Sequence, residues 1–351
     1  MPRAITLISP QTPALTTIPP PTLRPGTLLV QPKAVALNPT DLKKASSPNT
    51  PLHLPLGCDY AGTVLSIHPE TQTAFQPGDR IFGFVSGCNP LHPSDGSFST
   101  ATPAVAALQF PIPAHLSFAE AATFGIALTT IGQSLYQTLN LAAPDAPLAT
   151  PLPILIYGGS SAMGTMAIQF AKLSGYRVFT TCSPRNFDLV RAYGADEVFD
   201  YRDDAAAAAA LINSKTQDRL GLVLDTIGGA EAVAFCDRAL SSQGGEFATL
   251  LTDTVIPRAN VRTRITVAYT AMGEEVELGG FRLPARKEDY EFAVEWTRKI
   301  SPFLQDGRIK PHPVRVVEGG LQGLVDRGFG IMEAGKVSGE KLVFEVEAAS
   351  D

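Results

Sequence analysis

Residues 153–175 read PILIYGGSSAMGTMAIQFAKLSG, and this stretch decides the fold. Ile154, Leu155, Ile156 and Tyr157 form an apolar run of the length of a buried strand. The run stops at Gly158-Gly159-Ser160-Ser161. Beyond it, Met163, Met166, Ala167, Phe170 and Leu173 recur at helical spacing, and Gly175 stands as a C-terminal stop. Strand, glycine turn and helix together suit a dinucleotide. Glycines let the backbone approach a pyrophosphate, and the helix N-terminus offers free N–H groups with partial positive charge. The glycines stand at 158, 159 and 164 and do not spell G-x-G-x-x-G, so the motif takes its weight from its surroundings.

Downstream the same alternation repeats. Residues 176–181, 197–200, 220–225 and 246–251 read as strands, and 184–193, 204–214 and 230–240 as helices. A last strand is expected at about 264–269. Such alternation means a doubly wound parallel sheet of the Rossmann type, with ligands bound where the strands end. The six alanines after Asp204 read as a plain surface helix.

Upstream the pattern changes. Thr27–Ala36 reads as a strand that ends in an Asn38-Pro39-Thr40-Asp41 turn. Residues 56–65 read as a strand pair, and 77–83 and 96–100 as tight turns entering strands. Short strands between Pro/Gly turns predict a small β-barrel-like domain. Ser117 and Glu120 form a capping box that opens a helical stretch to about Leu139. Residues 142–153 are a Pro/Ala-rich connector.

Composition narrows the classes. With 351 residues the chain can hold two domains. A net charge of −6 disfavours nucleic acid as a partner. Cys58, Cys88, Cys182 and Cys236 are widely spaced, against both a disulfide framework and a structural zinc. No stretch has the length and apolarity of a membrane span, and the N-terminus lacks a signal-peptide core. A cytoplasmic location is the expectation.

The second strand of the doubly wound half ends Thr180-Thr181-Cys182-Ser183-Pro184-Arg185-Asn186, without the acid that NAD-preferring folds place there. Ser183 and Arg185 can instead donate to a 2′-phosphate, which points to NADPH; the alternative is a solvated loop.

In their order, NPTD (38–41), GCDYAGTV (57–64), PGDRIFG (77–83), GSFS (96–99), LSFAEAAT (116–123), IYGGSSAMGTMAIQFAK (156–172), GADEVFDY (194–201), DTIGG (225–229) and SGEKLVFEV (338–346) resemble the zinc-free branch of the medium-chain dehydrogenase/reductase superfamily. The match runs along essentially the whole chain. Residues 181–202 and 311–320 make it similar to the stand-alone enoyl reductases that act in trans with fungal polyketide synthases. The resemblance implies a GroES-like barrel over 1–123, an NADPH-binding domain over 124–272 and a C-terminal segment, 273–351, returning to the barrel. It also implies reduction of an enoyl thioester on a polyketide synthase, with NADPH.

Carried over residue by residue, the resemblance implies that Gly158, Gly159, Ser160, Ser161, Ala162, Met163 and Gly164 cradle the pyrophosphate. Ser183, Pro184, Arg185 and Asn186 meet the 2′-phosphate; many quinone reductases hold lysine where Asn186 stands. Tyr201 lies against the adenosine, or is a half-buried edge tyrosine. Thr40, Asp41 and Lys43 reach the nicotinamide side, and Leu250, Leu251, Val337 and Ser338 are further cofactor contacts. Lys43 is the candidate for orienting the cofactor or steering protonation; the alternatives are a solvated lysine and water as proton donor. Thr129, Thr130 and Gln133, with Val267, Ala268, Tyr269 and Thr270, line the acyl pocket or simply pack.

Zinc-dependent relatives carry ligands where this chain has Asn38, Cys58 and Asp59, with no third ligand near residues 124–126. No metal is expected, and Cys58 reads as a small buried residue. Quinone reduction and non-catalytic NADPH binding remain as alternatives. Arg258, Arg262 and Arg264, with no acid between Asp253 and Glu274, suggest a basic patch for an acidic carrier domain, or a solvated loop. The glutamates and glycines of 272–280, following the last strand, blunt its edge and predict a monomer.

Overall fold

A computed structural model of the chain describes residues 1–202, 204–252, 254–278 and 281–347. Asp253, Gly279 and Gly280, on which the patch and edge arguments lean, lie outside these residues. The chain divides into two compact units, Met1–Thr129 with Tyr269–Asp351, and Thr130–Ala268. The divisions expected at 123/124 and 272/273 lie a few residues away.

In the unit Thr130–Ala268, six parallel strands lie in the order Glu197–Phe199, Arg177–Thr181, Pro153–Tyr157, Leu222–Asp225, Gly245–Thr249, Val261–Ile265. Ile154, Leu155 and Ile156 are fully buried because helices cover both faces, which is why the central strand reads as an unbroken apolar run. The strand order reverses beside Pro153–Tyr157, so the turn after that strand stands at the switch point where such sheets bind ligands.

The sixth strand is Val261–Ile265, not residues 264–269, and a 3-10 turn, Ala268–Met272, follows. The arginines of the expected basic patch are not isolated, because acids on neighbouring elements pair with them. Parallel pairing sets Arg262 opposite Glu246, and Glu246 reaches both Arg262 (2.6 Å) and Arg264 (3.2 Å). Arg258 bonds Asp237 (3.4 Å). The acids were invisible locally because they lie on the neighbouring strand and helix.

The other unit is built on Thr27–Ala36, which pairs antiparallel with Asp59–Ile67, Thr102–Val105 and the C-terminal strand Lys341–Glu345. The C-terminal segment thereby completes the N-terminal barrel. An opening hairpin, Arg3–Ser9 with Thr12–Thr17, went unread in the sequence. Residues 56–65 hold one strand, Asp59–Ile67, rather than two. Asn38-Pro39-Thr40-Asp41 is not an isolated turn but the start of a helix, Pro39–Ser46. Proline at its first position and an aspartate whose carboxylate accepts the Asn38 N–H (2.9 Å) favour helix initiation.

The Ser117 capping box forms, with Glu120 N–H donating to Ser117 Oγ and Ser117 N–H to Glu120 Oε2. The helix it opens is short, Phe118–Ala121, and a second runs Gly125–Gly132 into a π-helical turn, Gln133–Thr138. The restart has a tertiary cause: the Ile126 N–H donates to Asp59 Oδ1 (2.6 Å). Only glycine fits at 125, since a Cβ there would lie 2.1 Å from that oxygen.

Residues 272–278 do not extend the sixth strand. Val276–Leu278 pairs instead with Phe281–Leu283 as a separate hairpin in the barrel unit. Its glutamates are paired: Glu274 with Arg24 (2.9 Å) and His92 (3.0 Å), and Glu275 and Glu277 with Arg282.

Candidate functional site

Each unit carries its own share of the predicted residues. In the sheet unit, Gly158 leaves the central strand at φ +86°, a backbone region that favours glycine. Its N–H donates to Thr181 Oγ1 (3.1 Å), and the Gly159 N–H to the Thr181 carbonyl (2.9 Å). Ser161 caps the helix Ala162–Leu173 by accepting the Gly164 N–H (2.9 Å), and its hydroxyl also meets Thr226 Oγ1 (3.0 Å). A Cβ at Gly164 would stand 2.2 Å from the Gly158 carbonyl, so helix and turn touch backbone to backbone. Ser160, Ser161, Ala162 and Met163 are half-buried at the mouth of this turn. A glycine cradle at the N-terminus of a twelve-residue helix fits a pyrophosphate.

Beside it, a 3-10 turn, Pro184–Asn186, follows the second strand. Ser183 is half-buried, Pro184 and Arg185 are exposed, and Asn186 is buried. Arg185 has no ion-pair partner among the described residues. The Tyr201 ring meets Tyr157 edge-on at 6.0 Å and lies under Arg202. Leu250 and Leu251 are half-buried after the fifth strand, and Leu251 covers Gly228. Thr130, Gln133 and Ala268 are buried and Val267 half-buried within this unit.

The barrel unit holds a different kind of site. Asp59, fully buried, accepts from Asn38 Nδ2 (2.9 Å), the Ile126 N–H and the Lys341 ammonium (2.5 Å). Lys341 is itself 4% exposed, and its charge, after burial, helps hold His312 down at about 3, hence neutral. Asn38 and Asp59 stand at two of the positions where the resemblance sets the ligands of zinc-dependent relatives. Here the carboxylate is saturated by three donors and a lysine supplies the positive charge, so the donor set does not fit a metal ion. Among the described residues no cluster of three or more His, Cys, Asp or Glu side chains is placed to hold one.

One turn away, the Tyr269 hydroxyl lies 3.1 Å from Cys58 Sγ and 3.3 Å from Thr40 Oγ1. Lys44 donates to the Gly87 carbonyl (2.7 Å) with its ammonium 4.8 Å from the Tyr269 ring centre. Burial raises Asp41 to about 6 against the pull of Lys44 and the Asn38 N–H, and pushes the Cys58 thiol and Tyr269 phenol well above their ordinary values. Lys43 is exposed; Lys44 is the lysine turned to the cluster. Thr129 and Thr270 are buried, and Val337 and Ser338 half-buried.

The chain matches the alcohol dehydrogenase GroES-like domain family over residues 24–114 and the zinc-binding dehydrogenase family over 162–296. It is 40% identical over 330 residues to trans-enoyl reductase ACTTS2 of Alternaria alternata, covering 94% of both chains. It is 44% identical over 341 residues to trans-enoyl reductase resD of Aspergillus sclerotiorum, covering 93% of this chain and 94% of that one. The chain belongs to the trans-enoyl reductase family. As such it is a member of the medium-chain dehydrogenase/reductase superfamily. Its fold is that of an alcohol dehydrogenase superfamily protein from Novosphingobium aromaticivorans, with a TM-score of 0.80 at 23% identity over 99% of this chain and 100% of that one.

For this trans-enoyl reductase relative, sequence reasoning missed Lys341 and Lys44. Lys341 begins the last strand, 282 residues from Asp59, and the one sequence signal was a lysine entering an otherwise apolar run, KLVF. Lys44 was hidden by its neighbour, since two adjacent lysines read as a solvated face. No described helix is long and apolar enough to cross a membrane.

Proposed function

We propose that the protein uses NADPH to reduce the α,β-double bond of an enoyl thioester carried by a polyketide synthase, acting in trans during secondary-metabolite biosynthesis. The observation that carries this reading is the match of nearly the whole chain to two relatives named trans-enoyl reductases. The barrel cluster supports it. Alcohol oxidation needs a Lewis acid to polarise oxygen, and here Asp59 is already spent on Asn38 and Lys341 while Cys58 meets Tyr269. An activated C=C needs less help, because the thioester carbonyl takes up the charge.

The cofactor, when bound, supplies a hydride to the β-carbon. The Gly158–Gly164 turn and the helix behind it bind its pyrophosphate, and Ser183 and the unpaired Arg185 bind the 2′-phosphate, which favours NADPH over NADH. The substrate arrives on an acyl carrier domain. The protein works in the cytoplasm as a monomer: the outermost strand of the sheet, Val261–Ile265, carries Arg262 and Arg264 on its edge, and charge there blunts strand pairing. Light scattering at micromolar concentration is expected to give the monomer mass.

A turnover assay with a soluble enoyl thioester and with a quinone tests the reading. NADPH consumption with the thioester and saturated product are expected. Consumption with the quinone alone replaces it with quinone reduction, and consumption with neither leaves a binding protein.

A further inference from the structure

Hydride addition leaves an enolate whose α-carbon must take a proton, and Lys43, the candidate from the sequence, is exposed. In the barrel unit, three groups that each carry both a proton and a lone pair stand in file, with the Asp41 carboxyl beyond them. Thr40 Oγ1 lies 3.3 Å from Tyr269 Oη, and Tyr269 Oη lies 3.1 Å from Cys58 Sγ. The Asp41 carboxyl adjoins the Cys58 thiol at the inner end. Asp41 Oδ1 is buried without a partner at hydrogen-bond distance, so this last link is a contact not yet closed. Catalytic hydrogen bonds are often long before substrate binds. Thr40 is half-buried and forms the outward end; Asp41 is fully buried and forms the inward end.

We propose that Asp41, Cys58, Tyr269 and Thr40 form a proton relay that delivers the α-carbon proton. The inference rests on the enoyl reductase reading. In the delivery step the Thr40 O–H bond breaks as the α-carbon C–H bond forms. Tyr269 passes its proton to Thr40, Cys58 to Tyr269 and Asp41 to Cys58. The file ends with a thioester and an Asp41 carboxylate, which water reprotonates before the next turnover.

Several features suit this task better than packing alone. A phenylalanine at 269 and an alanine at 58 would fill the same space without burying polar groups, which is costly unless they are bonded. Burial keeps the Tyr269 phenol protonated at rest, hence a donor. The Lys44 ammonium over the ring stabilises negative charge as the proton leaves. Asp41 is faced by Lys44 from its own helix, by Cys58 and Asp59 from the adjoining strand, and by the Asn38 N–H, and the balance places it near neutrality.

The test pairs single-atom changes. Tyr269→Phe removes one oxygen and keeps the ring. Its kcat on an α-methyl enoyl thioester is expected to fall about 100-fold, the scale of one lost general acid, with NADPH affinity unchanged. In D2O, wild type places deuterium on one face of the α-carbon, and Tyr269→Phe on both, as water takes over. Cys58→Ala is expected to behave like Tyr269→Phe, and Cys58→Ser to restore rate and single-face labelling. Independently of turnover, infrared spectroscopy of the protein alone should show a buried carboxyl titrating near about 6 that vanishes in Asp41→Asn. Wild-type kcat and single-face labelling in Tyr269→Phe overturn the relay, as does Cys58→Ser failing like Cys58→Ala. A wild-type protein that reduces no enoyl thioester overturns the function itself and the relay with it.

Discussion

Two passages in this chain lead from a strand through a short turn into a helix N-terminus, and they are built in opposite ways. After Tyr157 the turn is glycine and serine, it touches its helix backbone to backbone at Gly164, and its cap is local, Ser161 to Gly164. After Ala36 the turn buries Asn38 and Asp41, and its surroundings come from Cys58, Asp59, Tyr269 and Lys341. The first is a glycine turn at a helix N-terminus, a setting that suits an anion. The second fills its space with side chains that satisfy one another. A ligand-binding turn can therefore be written in a few adjacent residues, whereas a buried polar cluster needs contributors from across the chain.

If the contrast holds, the largest effect of a single change belongs to the second passage. Lys341→Met leaves Asp59 buried without its cation, and breaking such a pair costs about 3–5 kcal/mol. Urea unfolding should show this loss. A change below about 1 kcal/mol, the value of exposed pairs, would mean the cluster is no more than a surface feature.

Asp41→Asn sharpens the same point through pH. Burial raises Asp41 from 3.8 to about 6. Between those values the native state holds more protons than the unfolded chain, so the aspartate's contribution is present at low pH and lost as pH rises through about 6. The asparagine variant lacks this term. Its stability relative to wild type should improve by up to about 3 kcal/mol between about pH 4 and about pH 7. A difference independent of pH would show that the carboxyl is solvated.

The first passage and its neighbour should respond in binding rather than stability. Arg185→Ala removes an exposed, unpaired side chain, so the unfolding curve should stay in place. NADPH affinity is expected to fall roughly ten- to a hundred-fold, about 1.5–3 kcal/mol for one charge-assisted contact, with NADH unaffected. Equal losses for both cofactors would remove Arg185 from the 2′-phosphate site.

The smallest effect is expected at the sheet edge. Arg262→Glu places a second acid opposite Glu246 and should cost about 0.2–1 kcal/mol. Because Arg258, Arg262 and Arg264 already hold their acids, carrier-bound and soluble thioesters should be reduced by this variant at nearly wild-type rates. A selective loss with carrier-bound substrate would restore the edge as a docking surface.

Much of this was legible from residue order alone. The parallel sheet follows from apolar runs alternating with helical periods, and the glycine turn from three glycines between a strand and a helical period. These features depend on neighbours within a few positions, where steric and hydrogen-bonding rules act directly. Thr27–Ala36 was read to its ends for the same reason.

What the tertiary structure alone decided is the partner of each buried charge. Glu246 became the mate of Arg262 through strand register, and Lys341 the mate of Asp59 because the C-terminal strand returns to Thr27–Ala36. The helix break before Gly125 has the same origin, since the oxygen that binds the Ile126 N–H comes from Asp59. Lys44 rather than Lys43 faces Tyr269 because one residue along a helix turns a side chain by about 100°. Periodicity shows which side chains share a face, but a charge is neutralised by whatever the fold brings within a few ångströms. That distance is set by the whole chain.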